Sequence, residues 1–129
     1  MYKTNLNNLG LLVIRIGFSA MFLTHGIPKA GKLFAGGAID FADPIGLGPT
    51  FSLALTVFAE TLCPILIIIG FKAKWAAIPP VITMLVAAFI IHSDHPFGKK
   101  EFALLYGLGF LAIAFFGAGK YSLDGSLKK

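Results

Sequence analysis

Charged side chains are scarce in this sequence. Asp, Glu, Lys and Arg make up 13% of its 129 residues, about half the fraction usual in a soluble domain. Apolar residues make up 57%, too many for a disordered chain and more than a soluble domain of this length keeps out of water. There is one cysteine, Cys63, so no disulfide framework organises the fold. Phosphate-binding loops, dinucleotide fingerprints, flavin motifs and iron–sulfur motifs are all missing, and Gly46-Leu47-Gly48-Pro49 reads as a turn. The net charge of +5 and pI near 9.5 raise the question of nucleic acid. The cations lie in short connections, however, and form no basic face interleaved with aromatics. No nucleic-acid partner is expected; anionic membrane lipids are the expected partners of these lysines.

What the sequence has instead is apolar length, with a mean hydropathy of +0.83. Four runs, at 9–27, 51–71, 75–91 and 102–119, each approach the ~20 residues a helix needs to cross hydrocarbon. They are continuously apolar and do not alternate, which predicts helix over strand. The fold class expected is an all-α integral membrane protein, a four-transmembrane-helix bundle in one membrane domain spanning 1–129. The Gly- and Pro-rich connection 28–50 leaves room for a short re-entrant or interfacial piece. Lys72-Ala73-Lys74 is so short a link that the second and third helices should form an antiparallel hairpin. Pro79 and Pro80 fall in the first turns of the third helix, where missing donors cost least. The first run lacks a small-x-small cleavage site and contains Arg15, so it reads as a retained span and not a signal peptide. With four spans, Lys3, Lys72, Lys74, Lys120, Lys128 and Lys129 share one side, and Lys29, Lys32, Lys99 and Lys100 the other. The positive-inside rule then puts both termini on the cytoplasmic side.

Two ionisable residues sit inside these runs. Arg15 is about 9 Å in from the inner surface, counted from Leu9, and Glu60 about 14 Å in from the outer surface, counted from Phe51, at ~1.5 Å per residue. Either alone costs ~2.5–3.5 kcal/mol at the bilayer centre, so the two are expected to face one another as an ion pair near the midplane. The bland reading is a structural pair between the first two helices; the functional one is that Glu60 also takes a proton or binds a ligand. His25, His92 and His95 lie at the outer ends of the spans with Asp94, Glu101 and Lys29, suggesting a polar mouth above the pair. The candidate proton-transfer residues are Glu60, His25 and His92, and the candidate ligand-holding residues are Arg15, Glu60, Lys29 and Glu101. A small amphipathic molecule with a ring and hydrogen-bonding ends suits such a pocket. His92-Ser93-Asp94-His95 matches no recognised metal motif, and His25 and His92 do not face each other at depth, so neither metal nor haem is expected. Cys63 reads as a small buried hydrophobe. Ser19 and Thr24 read as back-bonding or helix-pairing residues, and Gly107, Gly109, Gly117 and Gly119 as packing positions on the fourth helix.

These residues, taken in order, resemble the DoxX family of small four-span bacterial membrane proteins. The resemblance rests on Leu12-Val13-Ile14-Arg15-Ile16-Gly17, His25-Gly26-Ile27-Pro28-Lys29, Glu60 with the run to Gly70-Phe71, and His92. Glu101-Phe102-Ala103-Leu104-Leu105 and Gly119-Lys120-Tyr121-Ser122-Leu123-Asp124 complete it, with Lys120 where the family tail often carries Arg. The resemblance implies a multi-pass protein of the bacterial inner membrane, and at most a subunit of a quinone-linked oxidoreductase. Quinone is the cofactor it implies. With no flavin or iron–sulfur motif in the chain, electrons would have to come from a soluble or membrane redox partner. The alternative is a non-enzymatic scaffold or assembly factor whose buried polar cluster is structural. A small-solute carrier is a third reading, which four spans would support only as a homo-oligomer.

Overall fold

The computed structural model describes residues 2–35, 46–91, 93–94 and 96–127. It is all helical, with no strand among the described residues. Helix α1 runs Tyr2–Phe34, well past both ends of the apolar run that announces it. Pro28 lies inside it; membrane helices tolerate such a proline where neighbouring groups satisfy the freed backbone. The second apolar run is built in three pieces: α2 (Pro49–Val57), a π-helical turn (Phe58–Leu62) and α3 (Cys63–Ile69). Pro64 explains the wide turn. It has no N–H for the carbonyl of Glu60 four residues earlier, and its ring would press on that carbonyl in a regular helix.

Gly70 ends α3 in the left-handed conformation, φ 81°. Its N–H and that of Phe71 both bond the carbonyl of Leu66, at 2.8 and 2.9 Å. Lys72, φ 50°, completes the reversal, and α4 (Ala73–Ala76) leads into α5 (Ile78–Val86) and a second π turn (Ala87–Ile91). Pro79 and Pro80 occupy the first turn of α5 as expected. Helix α6 (Phe97–Phe116) packs along α5, and a short α7 (Leu123–Leu127) closes the described chain.

Among the described residues, three helical stretches are long and apolar enough to cross a membrane: Leu6–Phe34, Pro49–Ile69 and Ala73–Ile91. Helix α6 carries Lys99, Lys100 and Glu101 in its first turns, so its unbroken apolar part begins only at Phe102. The bundle is turned out toward an apolar medium. Val13, Met21, Ile69, Phe89, Leu108 and Phe115 are among many large hydrophobic residues left exposed, a pattern that water would penalise and lipid does not.

The core joins α1, α3, α5 and α6. Phe22, Ile67, Met84, Ala88, Phe110 and Ile113 are buried together. Phe18 and Phe22 of α1 pack on Tyr106 and Phe110 of α6, with ring centroids 4.8–6.4 Å apart. Gly109 makes room for the Phe18 ring, since a methyl there would overlap it. Gly107 and Ala103 turn toward α5 beside Met84. The other two glycines do something else: Gly117 and Gly119, φ 82° and 83°, are turn residues beyond the end of α6, not packing positions within it.

Candidate functional site

One face of α1 carries Arg15, Ser19, Phe22, Gly26 and Lys29, three or four residues apart and so stacked along one stripe. Its polar members meet two different partners at two different heights. At one end, the Lys29 ammonium donates to both oxygens of the Glu60 carboxylate, at 2.7 and 3.0 Å. The carboxylate is buried and Lys29 is one-third exposed. Just below, the backbones of α1 and the π turn touch: a methyl on Gly26 would overlap the Glu60 carbonyl. Glycine is required here by that approach, and the approach holds Glu60 against α1. Tyr106 of α6 lies within electrostatic reach of Glu60, and the His25 ring meets Tyr106 edge-on at 5.7 Å. A carboxylate, an ammonium, a phenol and an imidazole therefore gather around one end of the core, able to donate, accept or pass a proton.

Arg15 is buried but bonds elsewhere. Its guanidinium donates to four backbone carbonyls: Ile67 (3.0 Å), Ile68 (2.9 Å), Ala118 (2.6 Å) and Tyr121 (3.1 Å). The helix end explains why. Ile67 and Ile68 lie in the last turn of α3, where carbonyls lose their donors. The N–H of Phe71 has gone to Leu66 and that of Lys72 to Asp124. Arg15 thus caps α3 from another helix, and its charge sits at the negative end of the helix dipole. Asp124 does the reverse for α4, accepting from the N–H groups of Lys72 (2.7 Å) and Ala73 (2.9 Å). Its own N–H donates to the carbonyl of Gly70 at 2.9 Å. The Asn8 side chain accepts from the N–H of Lys120 at 2.9 Å, so the start of α1 joins the same assembly.

The expected Arg15–Glu60 pair is therefore not formed. Depths counted from the two apolar boundaries made them level, but α1 overruns its apolar run at both ends. Gly26 is the α1 residue opposite Glu60, and Arg15 lies eleven residues further along, about 16 Å at the rise of a helix. Of the other expected residues, Lys29 joins Glu60 directly and His25 joins through Tyr106. Glu101 is exposed in the first turns of α6, and Asp94 is exposed in the link that precedes that helix. Lys100 donates to the carbonyl of Ser93 at 3.1 Å. His92 and His95 lie outside the described residues. Thr24 back-bonds to the carbonyl of Met21 as expected, at 2.5 Å; Ser19 does not, and its buried hydroxyl has no partner among the described residues. Two members were not anticipated in their roles. Tyr106 gives no signal in an apolar run, whereas Asp124 stands in the tail segment that carried the family resemblance.

A family model described as DoxX matches residues 10–93. The chain is also similar to the inner membrane protein YqjF of Escherichia coli (strain K12), with 31% identity over 128 residues and 96% of each chain covered. No solved structure matches it.

Proposed function

The chain belongs to the DoxX family and is a multi-pass inner-membrane protein, and from that premise we propose that it is a quinone-interacting subunit of a membrane redox complex. The observation that carries this reading is the ion pair of Glu60 and Lys29, sunk into an apolar bundle beside Tyr106 and His25. A quinone head needs donors and acceptors at its two carbonyls and a proton when reduced. Lys29 and Tyr106 supply donors, Glu60 an acceptor and proton carrier, and His25 a relay toward the end of the bundle. The chain has no electron carrier of its own, so electrons come from a partner.

In this reading α6 is the fourth span and both termini face the cytoplasm. Support comes from the single assembly formed by Asn8, the α3–α4 link and residues 118–124, which gathers the lysine-rich connections at one end.

The test is native mass spectrometry of the protein in mild detergent, with solvent extraction of what it carries. Quinone retained by the wild type and lost from Glu60→Gln is the expected result. Quinone-free protein in both, with intact folding, would overturn the reading in favour of a scaffold or assembly factor. That second reading has its own observation: the four hydrogen bonds that Arg15 donates all end on backbone carbonyls, which makes this half of the buried polar system structural.

A further inference from the structure

At the Arg15 end of the bundle a cavity of about 830 Å³ opens beside the α3–α4 link. We propose that it is a binding site for the headgroup of an anionic phospholipid, with the upper acyl chain lying against its apolar wall. This site is separate from Glu60 and independent of the quinone reading.

The lining divides into two chemistries. Lys72, Lys74 and Lys120 bring three positive charges to the cavity, and Asp124 brings one negative charge. That carboxylate is already committed to the N–H groups of Lys72 and Ala73, so the cavity keeps a net charge of about +2 facing whatever enters. The apolar part of the lining includes Leu11, Trp75 and Phe116. Trp75 and Phe116 are 73% and 71% exposed, outward from the bundle. An indole directly after Lys72-Ala73-Lys74 marks the headgroup level of a bilayer. Lysines at the headgroup level with an aromatic wall facing the chains fit a molecule that is anionic at one end and apolar at the other. A free phosphate would use only the lysines and leave the wall bare.

The cavity is also held in shape. The two left-handed residues Gly117 and Gly119 fold the chain after α6 back over it, and the Lys74 side chain lies against Gly117. The Arg15 and Asp124 bonds fix its floor.

Trp75 is the single tryptophan of the chain and lines this cavity, so all the tryptophan fluorescence comes from its rim, and a difference between two brominated lipids reports which of them is preferred there. The full-length protein is reconstituted in phosphatidylcholine bilayers, and brominated phosphatidylglycerol or brominated phosphatidylcholine is titrated in to quench it. The expected result is half-maximal quenching at a several-fold lower mole fraction of the anionic lipid. That preference should shrink about fivefold for each lysine removed, so the Lys74→Gln/Lys120→Gln double variant should lose it. Because that variant can fail to reconstitute, the wild type is also titrated at low and high salt, where the preference should fall with ionic strength. Equal quenching by both lipids in the wild type, or a preference untouched by the variant and by salt, overturns the proposal. So does full competition by millimolar inorganic phosphate, which would make the cavity a free-anion site.

Discussion

Replacing Arg15 with Met is the sharpest test of how this bundle is held together. The substitution keeps an unbranched side chain of similar length and removes five N–H donors and the charge. Four donations are lost, to Ile67, Ile68, Ala118 and Tyr121. Charge-assisted hydrogen bonds contribute about 1.5–3 kcal/mol each, but burying the guanidinium offsets much of that sum. The net cost of removing one partner from a buried charged network is about 3–5 kcal/mol. For a chain of this size that corresponds to a fall of about 10–20 °C in the unfolding midpoint. The protein carries its own reporter: Cys63 is the lone cysteine and is buried, so a fluorogenic thiol dye signals opening of the core during a thermal ramp in detergent. Arg15→Lys keeps the charge, but one ammonium cannot reach carbonyls in two separate segments at once, and it should recover less than half of the loss. A midpoint within about 3 °C of wild type for Arg15→Met would refute the capping argument. Full recovery by Arg15→Lys would show that charge alone matters.

Further outcomes follow from the close approach of α1 to the π turn and from the unpartnered hydroxyl below it. Gly26→Ala should lower the same thermal midpoint, through an overlap with the Glu60 backbone that costs about 1–3 kcal/mol. Gly17→Ala, with open space around the added methyl, should leave the midpoint unchanged or raise it through a helix-propensity gain of ~1 kcal/mol in stability. Equal midpoints for the two variants would remove the argument for contact at Gly26. Ser19→Ala should be neutral or stabilising, because a buried hydroxyl with no partner costs about 1–3 kcal/mol. Destabilisation by Ser19→Ala in the dye assay would mean that the hydroxyl holds something in the folded protein.

Much of the architecture was legible because apolar length and proline placement are local signals. Pro79-Pro80 marked the start of α5, and the three-residue link between the second and third helices forced a tight reversal. Arg15 and Glu60 stood out as residues that an apolar span does not carry without a use. Their partners were not legible. Depth counting assumes that a helix begins where its apolar run begins, and α1 extends beyond its run in both directions. Opposite charge also suggested a pair, whereas the strongest need for a cation lay at the end of α3, where carbonyls had lost their donors. That need becomes visible only when Phe71 and Lys72 are seen to donate elsewhere. Tyr106 was missed for a simpler reason: within an apolar run its hydroxyl carries no periodic signal, and only packing of α6 on α1 brings the ring against His25 and within electrostatic reach of Glu60.

The clasp at the α3–α4 turn is assembled from segments far apart in sequence. Arg15 is made early and reaches carbonyls 103 and 106 residues later in sequence; Asp124 is made late and returns to a turn 52 residues behind it. During synthesis the first helices can enter the membrane with the clasp half closed, Arg15 already on Ile67 and Ile68 but with its remaining donors empty. Closure waits for residues 118–124, which bring the last two carbonyls to Arg15 and the carboxylate to the turn. Until they arrive the turn is open and the buried charge is half satisfied.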